Sequence, residues 1–127
     1  RDPFGLLEII RRQDAGATVA LLVDRPSGYK TVEVRLFGRP LMVSGAAAEL
    51  ARASGCALLP VYLPRNGRQY SAHILPALTY DRAALKQPEA RVALTQQIIQ
   101  TFEPVLQKFP DQWYNFVPVW QQSDTRD

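Results

Sequence analysis

The stretch RLFGRPLMVSGAAAELA, Arg35 to Ala51, decides how the chain reads. A strand-like run meets an apolar turn, FGRPLMV, and then a helix built almost wholly of small residues. Turns normally face water and carry polar side chains, so Phe37, Leu41, Met42 and Val43 are out of place on a solvated loop. Ser44 can cap the helix, which is expected to run to about Ser54 and stop at Gly55. Its Gly45, Ala46, Ala47, Ala48, Ala51 and Ala53 allow close approach to a sheet. Plain packing is the simplest account of them. The free amides at Ser44–Ala46 could hold an anion, a weak signal when alone.

On the N-terminal side, TVEVRLF (Thr31–Phe37) alternates, with Val32, Val34 and Leu36 on one face and Glu33 and Arg35 on the other, as a half-exposed strand does. RPSGYK (Arg25–Lys30) is a loop. ATVALLVD (Ala17–Asp24) is almost continuously apolar and predicts a strand buried on both faces, as in a parallel sheet. Before it, Pro3 to Gly16 predicts a helix with Asp2 as N-cap, an apolar stripe of Leu6, Leu7, Ile9 and Ile10, and Arg11 and Arg12 at the negative end of its dipole.

On the C-terminal side, CALLPVYL (Cys56–Leu63) predicts a second buried strand. Pro60 removes a backbone donor, so that strand is an edge, is bulged or borders a site. Asn-Gly within RNGR (Arg65–Arg68) signals a hairpin, and QYSAHILPAL (Gln69–Leu78) returns antiparallel. After Pro88 a long helix buries Leu94, Ile98, Ile99, Phe102, Leu106 and Phe109, with Pro104 kinking it or ending a first segment. Aromatic residues crowd DQWYNFVPVW (Asp111–Trp120), as a core lid or as a surface for an apolar ligand or a membrane interface. Two buried strands joined through a helix imply a right-handed crossover. The expected fold class is α/β, a mixed, mostly parallel sheet flanked by helices. Its interior strands lack a full set of neighbours, as in an incomplete portion of a larger domain. That portion spans residues 1–120, with a polar tail at 121–127.

Length and composition bound the function. The 127 residues suffice for one core, and 46% hydrophobic with 21% charged residues describes a folded chain. No run is long enough to cross a membrane as a helix. No initiator Met opens the chain and Met42 is its single methionine, so a processed or excised piece of something longer is expected. A single Cys, Cys56, excludes an internal disulfide and a multi-Cys zinc site; its apolar setting suggests a buried, inert thiol. Net charge is +3, and Arg outnumbers Lys twelve to three. That excess suits an anionic or membrane-surface partner but is too small and too scattered for nucleic acid.

Catalytic motifs are scarce. The single histidine, His73, has no acid four or five residues on and no Ser or Cys motif around it, and a satisfied or exposed strand histidine is its simplest reading. No glycine-rich phosphate loop, nucleophile elbow or metal-ligand cluster occurs. Asp24 and Arg25 stand just past the C-terminal end of the first apolar run, where α/β sheets place their ligand crevices. Two readings stand for them: an anion-orienting pair, or a solvated turn with a local ion pair.

Taken in order, GATVALLVDRPSG, VEVRLFGRPLMVSGAAAELARASGCALLPVYLPR, YSAHILPAL and FEPVLQKFPDQWYNF resemble the C-terminal half of the bacterial lipid A biosynthesis acyltransferases, the lauroyl- and myristoyl-transferase type of the lysophospholipid acyltransferase superfamily. The resemblance runs from about Leu6 to Trp120. Asp24-Arg25 matches the family's acidic segment after the central strand, which lines the acceptor's phosphate or sugar region. Phe37-Gly38-Arg39-Pro40 matches the FFG-x-P/A turn, and Gly45 with Leu50-Ala51 matches the G-x-A-x-LA helix. Pro60-Val61 resembles the late proline-hydrophobic block, and Pro110, Gln112 and Trp113 the terminal P-x-Q-W.

The resemblance implies acyl transfer from an acyl-carrier-protein or coenzyme A thioester to a lipid hydroxyl, at the cytoplasmic face of the bacterial inner membrane. It implies no cofactor or metal. Asp24, Arg25, Phe37, Gly38 and Arg39 become the expected substrate-binding residues. The expected partners are the acyl donor, the lipid acceptor, the membrane surface and the rest of the parent polypeptide. Departures accompany the match. The family's His-x4-Asp/Glu motif is expected upstream of Arg1, since the fifth residue after His73 is Leu78. The family's N-terminal membrane helix is missing, NFVPVW replaces its common Trp–His–Arg–Arg ending, and Pro104 interrupts the last helix. On this reading the chain alone is inactive. The alternative is a non-catalytic lipid- or acyl-binding module of the same fold, and an unrelated α/β domain with a protein-binding aromatic surface is a third.

Overall fold

The computed structural model describes residues 3–23 and 30–110. Helix α1 (Pro3–Asp14) leads to an extended segment, then strands β1 (Thr31–Leu36) and β2 (Arg39–Ser44) and helix α2 (Ala46–Ser54). Short strands β3 (Val61–Tyr62), β4 (Arg65–Asn66), β5 (Gln69–Tyr70) and β6 (His73–Ile74) follow, then a 3₁₀ turn (Ala83–Lys86) and helices α3 (Pro88–Thr101) and α4 (Glu103–Lys108). The class is mixed α/β. Every strand pairing among the described residues is antiparallel, which corrects the expected mostly parallel sheet.

The apolar turn is not a turn. Its residues 39–44 are β2, paired with β1 in the register Val32↔Val43, Val34↔Leu41 and Leu36↔Arg39. Only Phe37 and Gly38 make the reversal, both at positive φ (52° and 74°), as a two-residue type I′ hairpin requires. Strand alternation then puts Val34, Leu36, Leu41 and Val43 on one buried face, with Leu36 1% and Leu41 2% exposed. Pro40 is tolerated because β2 is an edge strand.

Helix α2 ends at Ser54 as expected, but its N-cap is Gly45 rather than Ser44, which closes β2. Ser44 Oγ accepts the Ala46 N–H at 3.2 Å, and Gly55, left-handed at φ 66°, ends the helix by donating to Ala51 at 2.8 Å. Its Ala47, Ala48 and Ala51 form a core with Leu85, Leu94 and Ile98. Helix α3 lies between this core and the hairpin face, because adjacent Ile98 and Ile99 serve different clusters. Pro104 does end a first segment: α3 stops at Thr101, and Pro104 occupies the first turn of α4. Helix α1 closes on a Schellman motif, Gly16 N–H to Gln13 C=O and Ala17 N–H to Arg12 C=O, both 2.9 Å. Of its expected apolar stripe, Leu7 is exposed and Ile9 and Ile10 are half-buried.

Two expected buried strands are corrected. Residues 17–23 are extended but unpaired among the described residues, and Leu22 is 87% exposed. An apolar run reports a demand for burial without naming a partner, and no described strand supplies one. Cys56–Leu63 is not buried on both faces, but it does form one arm of the antiparallel hairpin that the Asn-Gly turn signals. Its pairings run Leu78 N–H to Leu58 C=O, Leu75 N–H to Pro60 C=O, Val61↔Ile74, Tyr62↔His73, Ser71 N–H to Pro64 C=O and Arg65↔Tyr70. Gly67 begins the tight turn at φ 64°. One face of this arm carries buried Pro60 with half-buried Tyr62 and Pro64; the other exposes Leu59, Val61, Leu63 and Ile74. Cys56 is half-buried, not deeply buried.

Candidate functional site

Where the β1–β2 hairpin, the longer hairpin and the C-terminal helices meet, they enclose an open apolar groove of about 410 Å³. Its floor is Leu36, Leu41 and Ile99, all members of the core. One wall is Phe102, Val105, Leu106 and Phe109 from the end of α3 through α4; the other is Leu21–Val23 and Val61–Pro64. Tyr62 carries the only ionisable group among these described residues. Such a site is of ordinary size for a small-molecule pocket, about 300–1,000 Å³. Without charges to hydrate, it favours a saturated chain over a polar solute.

The residues nominated from sequence are not gathered in the groove. Asp24 and Arg25 lie outside the described residues, as do Gln112, Trp113, the aromatic run 111–120 and the tail. Phe37, Gly38 and Arg39 do not line the groove. They sit at the hairpin tip, docked on the last helices. Gln96 clamps the Arg35 backbone, accepting its N–H at 2.7 Å and donating to its C=O at 2.8 Å. Glu103 Oε1 accepts the Phe37 N–H at 2.9 Å, and the Arg35 guanidinium closes on the Gly38 carbonyl at 2.9 Å. From the nominated apolar stretch it is Leu41 that reaches the groove.

Polar groups border it. His73 stacks on Tyr62, ring centroids 4.8 Å apart and 14° between planes, and its Nε2 shares a 3.1 Å hydrogen bond with Ser71 Oγ. Tyr62 in turn tilts against Phe109 at 6.4 Å. His73 is thus an exposed, hydrogen-bonded strand histidine. Across the molecule, Glu49 is the buried acid that sequence reasoning missed. Its carboxylate, 7% exposed, meets Arg91 at 3.0 Å, Arg52 at 3.1 Å and Lys30 at 3.7 Å. Arg91 also donates to the carbonyls of Leu85 and Lys86, so the cluster binds α2 to the 3₁₀ turn and α3. The Tyr80 hydroxyl donates to the Cys56 carbonyl. Burial, and then the neighbouring Cys56, push its phenol above the ordinary 10.0, against a smaller lowering by Arg82. Among the described residues no group of His, Cys, Asp and Glu could hold a metal, and no helix is long and apolar enough to cross a membrane.

The sequence pattern described as bacterial lipid A biosynthesis acyltransferase matches residues 3–122. The chain belongs to that family. Among the proteins it is similar to are the phosphatidylinositol mannoside acyltransferases of Mycobacterium tuberculosis strains ATCC 25618 / H37Rv and CDC 1551 / Oshkosh. Each is 29% identical over 120 residues, which cover 94% of this chain and 35% of the relative. This family member thus spans about a third of the length of those relatives.

Proposed function

We propose that this chain forms the acyl-binding part of a membrane-associated acyltransferase. The enzyme would move a fatty acyl group from an acyl-carrier-protein or coenzyme A thioester to the hydroxyl of a lipid A precursor or related glycolipid or phospholipid. The observation that carries the reading is the groove: a family member that handles acyl chains has a charge-free channel floored by its own core. In the reaction the acyl carbon forms a C–O bond as its C–S bond breaks. The hydroxyl proton passes to a base and the thiol leaves. The chain's own share is to hold the acyl tail dry. Asp24 and Arg25 would orient the acceptor, and Phe37, Gly38 and Arg39 would meet substrate outside the groove. The place of work is the cytoplasmic face of the bacterial inner membrane.

Binding of a fluorescent long-chain fatty acid tests the groove. Val105→Trp puts an indole into a half-buried wall position and is expected to weaken binding about tenfold or more with the melting temperature kept. Unchanged affinity would remove the groove from the account. In the whole protein, Asp24→Ala and Arg25→Ala should lower acyl transfer with the fold intact; unchanged rates in both reject that site. The second reading is a non-catalytic lipid-binding module. Turnover by the whole protein separates the two.

A further inference from the structure

Helix α4 forms much of one wall of the groove, yet among the described residues it is weakly built into the molecule. Val105, Leu106 and, just past its end, Phe109 line the groove and are half-buried. None of its six residues is buried, and Leu106 alone of them rests against the hairpin core. Helix α3, by contrast, buries Leu94, Thr95, Ile98 and Ile99.

The two helices meet at a break with little to stiffen it. Pro104 has no N–H to give the Gln100 carbonyl, so the hydrogen bond that would carry α3 into α4 at this point is missing. Across the break, the Phe102 N–H turns back to the Ile99 carbonyl at 3.0 Å, and the Leu106 N–H reaches the Phe102 carbonyl at 2.9 Å. Phe102 itself packs against the core that α2 and α3 share. The fixed and the lightly held parts of the chain therefore join at one residue.

Two contacts distant in sequence hold α4 down. At its start the Glu103 carboxylate accepts the Phe37 N–H at 2.9 Å, an exposed hydrogen bond. Past its end the Phe109 ring tilts against Tyr62 at 6.4 Å. Tyr62 and Phe109 belong to opposite walls, so their rings join the walls across the groove. Segments with few buried contacts and exposed hydrogen bonds open locally at a cost well below that of global unfolding.

We propose that α4 is a hinged wall. It swings about Phe102, parts Phe109 from Tyr62 to admit an acyl tail from the side, and closes over the tail through Glu103. This inference rests on the groove's holding such a tail. Closing brings Val105, Leu106 and Phe109 onto the tail, so tail and wall lose water together. Glu103 is outside the groove lining and acts as a positioning residue. Its bond to Phe37 is made in the closed wall whether or not a tail is bound, so it cancels in the affinity and remains in the rates of entry and exit.

Two measurements on the 127-residue chain test this. In hydrogen exchange without ligand, the amides of residues 105–109 are expected to exchange about tenfold or more faster than those of residues 94–99, and to slow when a long-chain fatty acid is added. In stopped-flow binding of dansyl-labelled undecanoic acid, Glu103→Ala should raise association and dissociation rates together, about three- to tenfold, with Kd kept within about twofold. Glu103→Gln retains an oxygen that can accept the Phe37 N–H and should restore rates close to those of the unaltered chain. Equal exchange in the two helices overturns the hinge. So do rates that Glu103→Ala leaves unmoved, or a faster dissociation alone with Kd weakened to match; in each case the groove stands as a tail site because the fatty acid binds. If the fatty acid does not bind the unaltered chain, the groove reading falls and the hinged wall falls with it.

Discussion

Gly45 shows how one missing methyl group sets the distance between two elements. A Cβ built there would lie 2.9 Å from Val32 Cγ2, inside any normal contact, while the Gly45 N–H holds the Lys30 carbonyl at 2.9 Å. The entry to α2 is therefore pressed onto β1. Gly45→Ala is expected to destabilise by about 1–3 kcal/mol through overpacking. Adding Val32→Ala should make the pair cost less than the sum of the single changes in urea unfolding, as contacting residues do. Tyr80 carries a different message. Its phenol is held neutral by burial and then by the neighbouring Cys56, so the folded pKa stands above that of the unfolded chain. That contribution is fully present below pH 10.0 and disappears as pH rises through the folded value. Thermal melts of the native chain should thus lose stability above this point. Tyr80→Phe should cost about 1 kcal/mol at neutral pH and flatten the alkaline slope.

Among the elements, the β1–β2 hairpin explains which parts of the structure could be read in advance. The alternation of β1 was legible in Val32, Val34 and Leu36, and the Asn66-Gly67 signal found the longer hairpin. The turn at Phe37-Gly38 was hidden because Phe stands at a left-handed position where Asn is usual, so β2 passed for a loop. Phe37→Asn should therefore stabilise by about 0.5–1 kcal/mol, by relieving the strain of a left-handed bulky residue. A rise in the urea midpoint with unchanged slope checks this; a fall would mean that the Phe37 ring contributes more to packing than its backbone costs. The Ala-rich helix was legible to within a residue or two, its C-terminal end best, because Gly55 marks it with a left-handed cap while the N-cap fell on Gly45 rather than Ser44. Ala17–Asp24 reads as a strand buried on both faces and Cys56–Leu63 as a second buried strand for a definite reason. Continuous apolarity states that a segment seeks burial on both sides, and contains no term for which neighbour provides it.

At the scale of the whole molecule, the candidate site belongs to no single stretch. Leu21–Val23, Leu36, Leu41, Val61–Pro64, Ile99, Phe102, Val105, Leu106 and Phe109 converge only after the chain has folded. Motif matching found the family and nominated Phe37–Arg39, yet the groove opens on the core face of the same hairpin, where Leu36 and Leu41 point. The other long-range constraint is Glu49. Its partners come from three parts of the chain, Lys30 before β1, Arg52 on its own helix and Arg91 on α3. Glu49→Gln keeps the volume and removes the charge from a nearly buried position. It should cost about 1–3 kcal/mol, mostly through Arg91, because the more exposed Lys30 and Arg52 are screened by solvent. Chemical unfolding at low and high salt should show nearly the same loss.

The long hairpin also bears on how the isolated chain behaves in a tube. Leu59, Val61, Leu63 and Ile74 are exposed on a pair of strands that have no further strand neighbour among the described residues. A net charge of +3 supplies little mutual repulsion between molecules. Colloidal stability should therefore be poor and worsen with concentration and with salt, through strand addition from molecule to molecule rather than through unfolding. Dynamic light scattering at graded ionic strength, with circular dichroism unchanged, is the signature of that behaviour.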